Sequence, residues 1–479
     1  MKRVDRRQPG IERPARRTPA FTEGHLLGKI FVFAFPLLFT NLLQILYNAT
    51  DMIVVGRFSS VQGAVGAIGS TGALINLLLN LLFGVAVGAN VVVANAIGAR
   101  DEERCRRAVH TSLSVGVMCG LIGCAVGLLF CRPLLIWMEA DPALLDMSVA
   151  YTRIYFLGVP FSAVLNYAVA VLRAKGDTKT PFFVLSAAGV LNVLLNIFFV
   201  AGLGMDVDGV ATATALSTAL STVVILVKMS RDDDWCRLEW RRLLRPHLRT
   251  ARRILFIGIP AGIQGTLFSL SNVFIQRAVN GFGAAVIEAN SISSNIEGLA
   301  YTSVNSITQA AITVGGQNMG ARRYDRMGRI IRDCLFAALA VGAVMSAALY
   351  LARHPLISLY MSPSTAERDA ILAAAELRFK IVMAPYAILA VMDVGSGILR
   401  GLGCSTSAMV ITLIGACAFR ILWIYTFFAA RPELWVLFVS LPISWALTGG
   451  VLLLRAIWFR HRTLKAVKNA VPGDQPATV

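Results

Sequence analysis

Residues 30–55 are 26 consecutive positions with a single charged side chain, Asp51. A helix of that length rises about 39 Å, enough to cross a hydrocarbon core about 30 Å thick. Further runs of this kind follow, separated by charged loops and by proline and glycine. No other feature restricts the fold so severely, because a backbone in lipid must satisfy its own hydrogen bonds. Segmentation predicts twelve spans: 30–56, 62–94, 108–131, 147–173, 181–203, 208–230, 253–280, 286–316, 331–352, 376–400, 406–429 and 434–458. Only 15% of the 479 residues are charged, against roughly 25% in soluble chains. The expected fold class is an all-α polytopic membrane protein.

A net charge of +18 raises the question of nucleic acid. The basic residues alternate with apolar runs too long for a nucleic-acid binder, so no nucleic-acid partner is expected. Most of them fall on one side of the predicted membrane, and residues 228–253 alone carry nine Lys and Arg. By the positive-inside rule both termini are expected in the cytoplasm, with membrane lipids as the surrounding partner. Residues 1–29 are Arg-rich without the apolar core of a signal peptide and are expected to form a basic cytoplasmic tail. Residues 231–252 are expected as a basic cytoplasmic loop and 459–479 as a second tail. The eight cysteines are scattered and the five histidines map to tails, loops or span ends. Neither pattern predicts a metal site, a disulfide framework or a membrane-embedded enzyme.

The chain also repeats itself. "IFVFAFP" (30–36) returns as "ILFIGIP" (254–260), "IGARDEERCRR" (97–107) as "MGARRYDRMGR" (319–329), and "LRAKGDT" (172–178) as "LRGLGCS" (399–405). The offsets are 224, 222 and 227 residues. An even number of spans separates the copies, so the halves are parallel repeats about an axis along the membrane normal. Two six-helix bundles are expected, 30–230 and 253–458, rocking about a central cavity as a transporter requires. One chain supplies both bundles, so a monomer is expected.

Polar residues inside the spans mark the candidate site. Asn41, Gln44, Asn48 and Asp51 fall within about 80° on one helix face. Asp51 then has two readings: it exchanges a proton or binds a cation, or it snorkels outward and pairs with Arg57. Asn192 and Asn196 share a face of the fifth span, and Thr214, Ser217, Thr218 and Ser221 share one of the sixth. Their oxygens suit a sodium ion, and Ser and Thr equally serve as helix–helix contacts. In the second half Glu297, Asp393 and Arg420 lie within spans. Either Arg420 pairs with Glu297 or Asp393 as a structural ion pair, or one of those carboxylates meets protons or a cationic substrate.

Several of these stretches, "YNATDMIVVGR", "YTRIYFLGVPF…LRAKGDTKTP" and "DVGSGILRGLGCS", resemble the multidrug and toxic compound extrusion (MATE) family over residues 29–458. The resemblance implies a multi-pass antiporter of a prokaryotic cytoplasmic membrane. Such a protein exports cationic, amphipathic small molecules against inward-moving protons or sodium ions, with no cofactor. Carried over by position, it assigns the cation or proton site to Asp51, Asn192, Asn196 and Ser217, with any sodium ion at Asp51. Asn196 departs from the aspartate of many relatives, and "AGIQGTLFSL" lacks the glutamate that NorM-type members carry on helix seven. Asn41, Gln44, Asn48, Asp393 and Glu297 are expected on the substrate cavity. A flippase for lipid-linked precursors is the alternative. It requires a basic cavity, and the spans predict only Arg420 there.

Overall fold

The computed structural model describes residues 21–58, 64–137, 144–243, 245–360 and 368–469, and every regular element among them is helical. The first half comprises α1 (Leu26–Phe58), α2 (Ala64–Gly98), α3 (Glu102–Trp137), α4 (Leu145–Lys175), α5 (Lys179–Asn196), α6 (Val207–Arg231) and the short α7 (Trp240–Leu243). The second comprises α8 (Leu248–Asn280), α9 (Ala284–Gly320), α10 (Met327–Leu351), α11 (Arg353–Leu359), α12 (Arg368–Arg378), α13 (Tyr386–Gly401), α14 (Ser405–Thr412), α15 (Phe419–Trp423) and α16 (Leu434–Asn469). Wider π-type turns at Ile197–Gly202, Phe379–Met383, Leu413–Ala418 and Ile424–Phe428 extend α5, α12, α14 and α15.

Ten described helices are long and apolar enough to cross a membrane, counting α14, α15 and their wide turns as one. An eleventh span is the pair Arg368–Met383 and Tyr386–Gly401, bent by 47° where Pro385 removes a helical hydrogen bond. The remaining span is α9, whose 37 residues are long enough but too polar to be recognised by hydropathy. Its polar side chains are tolerated because it is enclosed by α1, α2, α10, α12 and α13 rather than by lipid.

The duplication is visible in the backbone. Arg100 and Arg322, 222 residues apart, are the non-glycine residues with positive φ among those described, each at 54°. Gly176 and Gly403 end the matching helices at φ 94° and 85°. At the first, the Gly176 amide donates to the Arg173 and Leu172 carbonyls, and the Asp177 carboxylate then accepts from the Thr180 amide at 3.0 Å. "GDTKTP" is therefore a left-handed helix stop followed by a capped start, which a side chain at Gly176 would strain.

The halves meet through reciprocal contacts. A Cβ on Gly98 would lie 1.9 Å from the Gln317 carbonyl oxygen, and one on Gly320 would lie 1.9 Å from that of Asn95. Gly84 and Gly88 face Gly262 and Gly258 in the same way. The Asn90 amide and the Thr313 hydroxyl, at equivalent positions, bond each other at 3.3 Å. Those contacts all lie toward the end carrying the chain termini. At Asn80 the approach has loosened to a 3.5 Å bond between the Asn80 amide and the Ser269 hydroxyl. The halves also exchange helix starts: Phe33, Ala34 and Leu37 of α1 pack in the second half's core, and Ile254 and Ile257 of α8 in the first half's. Pro36 and Pro260 sit at these crossings.

Three boundaries differ from expectation. Residues 1–20 of the predicted tail lie outside the described residues, but Phe21 is buried and Arg326 bonds the Thr22 and Gly24 carbonyls. That anchor lets α1 start at Leu26, not residue 30. The basic loop 231–252 is folded: Lys175 holds Asp232 at 2.9 Å and also binds Asp234, and the His110 Nε2 accepts from the Glu239 amide at 2.8 Å. Finally, α16 continues to Asn469, past the predicted 458, because a Lys- and Arg-rich helix end is stable in water.

Candidate functional site

In the first half α1, α5 and α6 bring the predicted groups together. The Asn196 amide donates to Asp51 Oδ1 at 2.5 Å and to Asn192 Oδ1 at 3.2 Å. The Asn192 amide donates in turn to the Thr214 hydroxyl at 3.2 Å and the Ser217 hydroxyl at 3.5 Å. The helical four-residue repeat puts both asparagines on the α5 face toward α1 and α6. Asn196 is fully buried and its Oδ1 has no hydrogen-bond partner, while Asn192 and Ser217 are 7% and 5% exposed. Asp51 is half-buried. Arg57 is exposed, and no basic group of the described residues lies within 4.0 Å of the Asp51 carboxylate. The arrangement is a cluster of one carboxylate, two amides and two hydroxyls.

A second site lies in the other half. A cavity of about 660 Å³ is walled by α8, α9, α12 to α16 and one face of α2. Glu297 and Asp393 both line it. Their partners are not those expected. The Arg378 Nε and Nη2 grip both oxygens of Glu297, at 2.7 and 2.8 Å, and Arg378 Nη1 binds Asn290. Asp393 accepts from the Thr308 hydroxyl at 2.6 Å. Arg420 pairs with neither carboxylate, since α15 carries it toward Ser444 of α16 while α12 brings Arg378 against α9. The Arg420 ion pair, one of the two readings of the sequence, is not formed, and Glu297 pairs with Arg378 instead.

Asn41 and Gln44 do not line this cavity, which α1 does not wall, and Gln44 is exposed. The side chain of Asn48 lies outside the described residues. Sequence reasoning missed Arg378 and Arg400, which line the cavity near the ends of a predicted span. Of a stripe on α9, Asn290, Ser294, Glu297, Tyr301 and Asn305, spaced 4, 3, 4 and 4 and all on the cavity wall, it named Glu297 alone. That helical polar period was the signal available.

The family model MatE matches residues 36–198 and 260–426, covering most of both halves. The chain belongs to this family. It is a multi-pass membrane transporter, built as two bundles of six helices, as family structures are. Among curated relatives it is 28% identical over 339 residues to the probable multidrug resistance protein YoeA of Bacillus subtilis, covering 69% of this chain and 73% of that one. It is 25% identical over 398 residues to the probable multidrug resistance protein NorM of Thermotoga maritima, covering 82% and 84%. Among solved structures, a MATE transporter in an outward-facing conformation superposes with a TM-score of 0.85 at 19% identity, covering 93% of this chain and 98% of that one. A MOP-superfamily transporter from Pyrococcus furiosus gives 0.86 at 19%, with the same coverage.

Proposed function

We propose that this chain is a multidrug efflux antiporter that exchanges amphipathic, cationic compounds for protons or sodium ions by alternating access. The observation that carries the reading is Asp51, an intramembrane carboxylate bonded to the Asn196 amide with no base of the described residues within 4.0 Å. Intramembrane acids are costly and mark ion pathways. A proton taken up there removes its charge. A sodium ion would find the carboxylate, the free Oδ1 of Asn196 and the Ser217 and Thr214 hydroxyls, all hard oxygen ligands. Either cation weakens the bond that ties α1 to α5, and α1 runs on through Pro36 into the second half's core. Cation loading is thereby linked to how the bundles pack. The names of the relatives support drug efflux, and Asp393, with no base of the described residues within 4.0 Å, offers a carboxylate to a substrate's positive charge.

With the termini in the cytoplasm, the glycine contacts seal the inner end and this conformation faces outward. It is the state in which substrate leaves and the cation enters. The test is efflux of a fluorescent cation in everted vesicles with sodium and pH gradients imposed separately. Asp51→Asn is expected to abolish gradient-driven efflux while substrate still binds. Unchanged efflux in that variant removes Asp51 from the mechanism. The flippase alternative gains from the cavity's three arginines, where the spans predict only Arg420. A vesicle preparation that moves a lipid-linked pyrophosphate but no soluble cation would favour it.

A further inference from the structure

The cavity wall in the second half holds two carboxylates, Glu297 and Asp393, against three guanidinium groups, Arg378, Arg400 and Arg420. Arg378 is consumed by its two-bond grip on Glu297. Arg400 and Asp393 are electrostatic neighbours. Arg420 is left over. Its side chain is 1% exposed, and no carboxylate of the described residues lies within 4.0 Å of it.

What surrounds Arg420 is neutral and asymmetric. Nε donates to the Ser444 hydroxyl at 2.9 Å, and Ser444 donates onward to the Leu441 carbonyl at 2.7 Å. That relay fixes the inner edge of the guanidinium plane. Its face lies 5.1 Å above the Phe268 ring centroid. Arg420 lines the cavity, its Nη1 makes only a long 3.5 Å bond to Asn272 Oδ1, and its buried Nη2 has no partner among the described residues. A buried donor without a partner is uncommon and costly, and a buried unpaired charge more so. The arrangement is explained if the open edge is a binding surface. Two parallel N–H groups match the two oxygens of a carboxylate or phosphate, the strongest pairing a guanidinium makes.

We propose that the second-half cavity contains an oxyanion-binding site centred on Arg420, which takes the carboxylate or phosphate group of an otherwise apolar molecule. Phe83, Phe268, Tyr301 and Trp445 on the same wall receive the flat apolar body. Asn272 yields its long bond to the incoming oxygen and flanks the anion. The site deepens the efflux reading, on which it rests for the substrate's route: with Asp393 in the same cavity, a zwitterion engages both groups. Loss of coupling at Asp51 would leave the anion preference unchanged, so the two readings fail separately.

The experiment measures fluorescence anisotropy of rhodamine B, which carries a free carboxylate, and of its methyl ester, on the purified full-length protein in detergent. The acid is expected to bind more tightly than the ester. Arg420→Met is expected to lower affinity for the acid about tenfold, the loss of a charge-assisted pair, and for the ester less than about twofold. Asn272→Asp keeps the arginine but supplies an internal carboxylate, and is expected to remove the acid's advantage even if Arg420→Met does not fold. The lipid source is separated by competition. Displacement of rhodamine B by phosphatidylglycerol but not by diacylglycerol, which lacks the phosphate, places a lipid headgroup in the site, and displacement by neither reserves it for soluble molecules. Both outcomes support an oxyanion site. Equal affinity for acid and ester, equal losses of both in Arg420→Met, or displacement by the phosphate-free lipid diacylglycerol as well overturns it.

Discussion

At the residue scale, function and stability rest on different carboxylates. Asp51 is held by an amide and Glu297 by a guanidinium, so they respond differently to neutralisation. Glu297→Gln leaves Arg378, 8% exposed, as a buried charge without its counter-ion. The expected cost is about 3–5 kcal/mol, seen as a lowered unfolding temperature in detergent; an unchanged temperature would mean that the pair is not stabilising. Asn196→Asp places a second carboxylate beside Asp51. Two acids at one site hold a sodium ion more tightly than one, so transport by this variant is expected to require sodium. Drug efflux driven by a pH gradient alone, at wild-type rate, would contradict this. Asp51 was legible in the sequence because an isolated charge in 26 residues is conspicuous. Its partner Asn196, and Asn192 behind it, were legible through their helical spacing. Arg378 was not, because a charge near the end of a predicted span looks like a membrane-edge residue until the bent α12–α13 pair turns it inward.

At the element scale, the glycines of α2 and α9 set how closely the halves approach. A Cβ at Gly98 or Gly320 would meet a backbone carbonyl at 1.9 Å, and backbone cannot step aside as a flexible side chain can. Gly98→Val and Gly320→Val are expected to open the terminal end, raising the labelling rate of a cysteine introduced nearby by about tenfold or more, in line with rigid cores shifting between discrete packings. Gly450→Val, where nothing lies within 4 Å, is the matched control. Equal labelling in all three would dismiss the seam as a gate. The folded 232–243 segment makes a pH prediction. Burial alone would raise the Asp232 carboxyl, but hydrogen bonds from Lys228 and Lys175 outweigh it and hold the carboxyl below its usual range. A depressed folded value stabilises the segment above the unfolded pKa of about 3.9 and loses that contribution as pH falls through the folded value. Protection against hydrogen exchange at 232–243, relative to the intrinsic rate at each pH, is expected to be flat from neutral pH to about 5 and to fall only below about pH 4; loss of protection near neutrality would contradict the clamp. The twelve spans were legible from run length and punctuation, including α9, which hydropathy alone misses. The helix starts exchanged between halves were not, since nothing local in "IFVFAFP" states which bundle receives its side chains.

At the scale of the whole molecule, one duplicated sequence makes two bundles that touch reciprocally at one end. The bundles have diverged in their polar chemistry, with amides and a lone acid in the first and paired and unpaired arginines in the second. The repeat was legible in three sequence landmarks and returns as matched positive-φ residues, while the divergence of the two sites came from single positions with no periodicity to reveal them. The central claim is that the charge state of Asp51 governs which end of the pair is open. Spin labels at exposed positions Glu103 and Arg329, one in each half at the terminal end, read that opening directly as a distance in a background without native cysteines. In the parent protein the distance distribution is expected to shift between low pH or sodium and their absence, and in Asp51→Asn, which is neutral like the protonated acid, to remain in the low-pH distribution throughout. A shift of the same size in the variant would contradict the account.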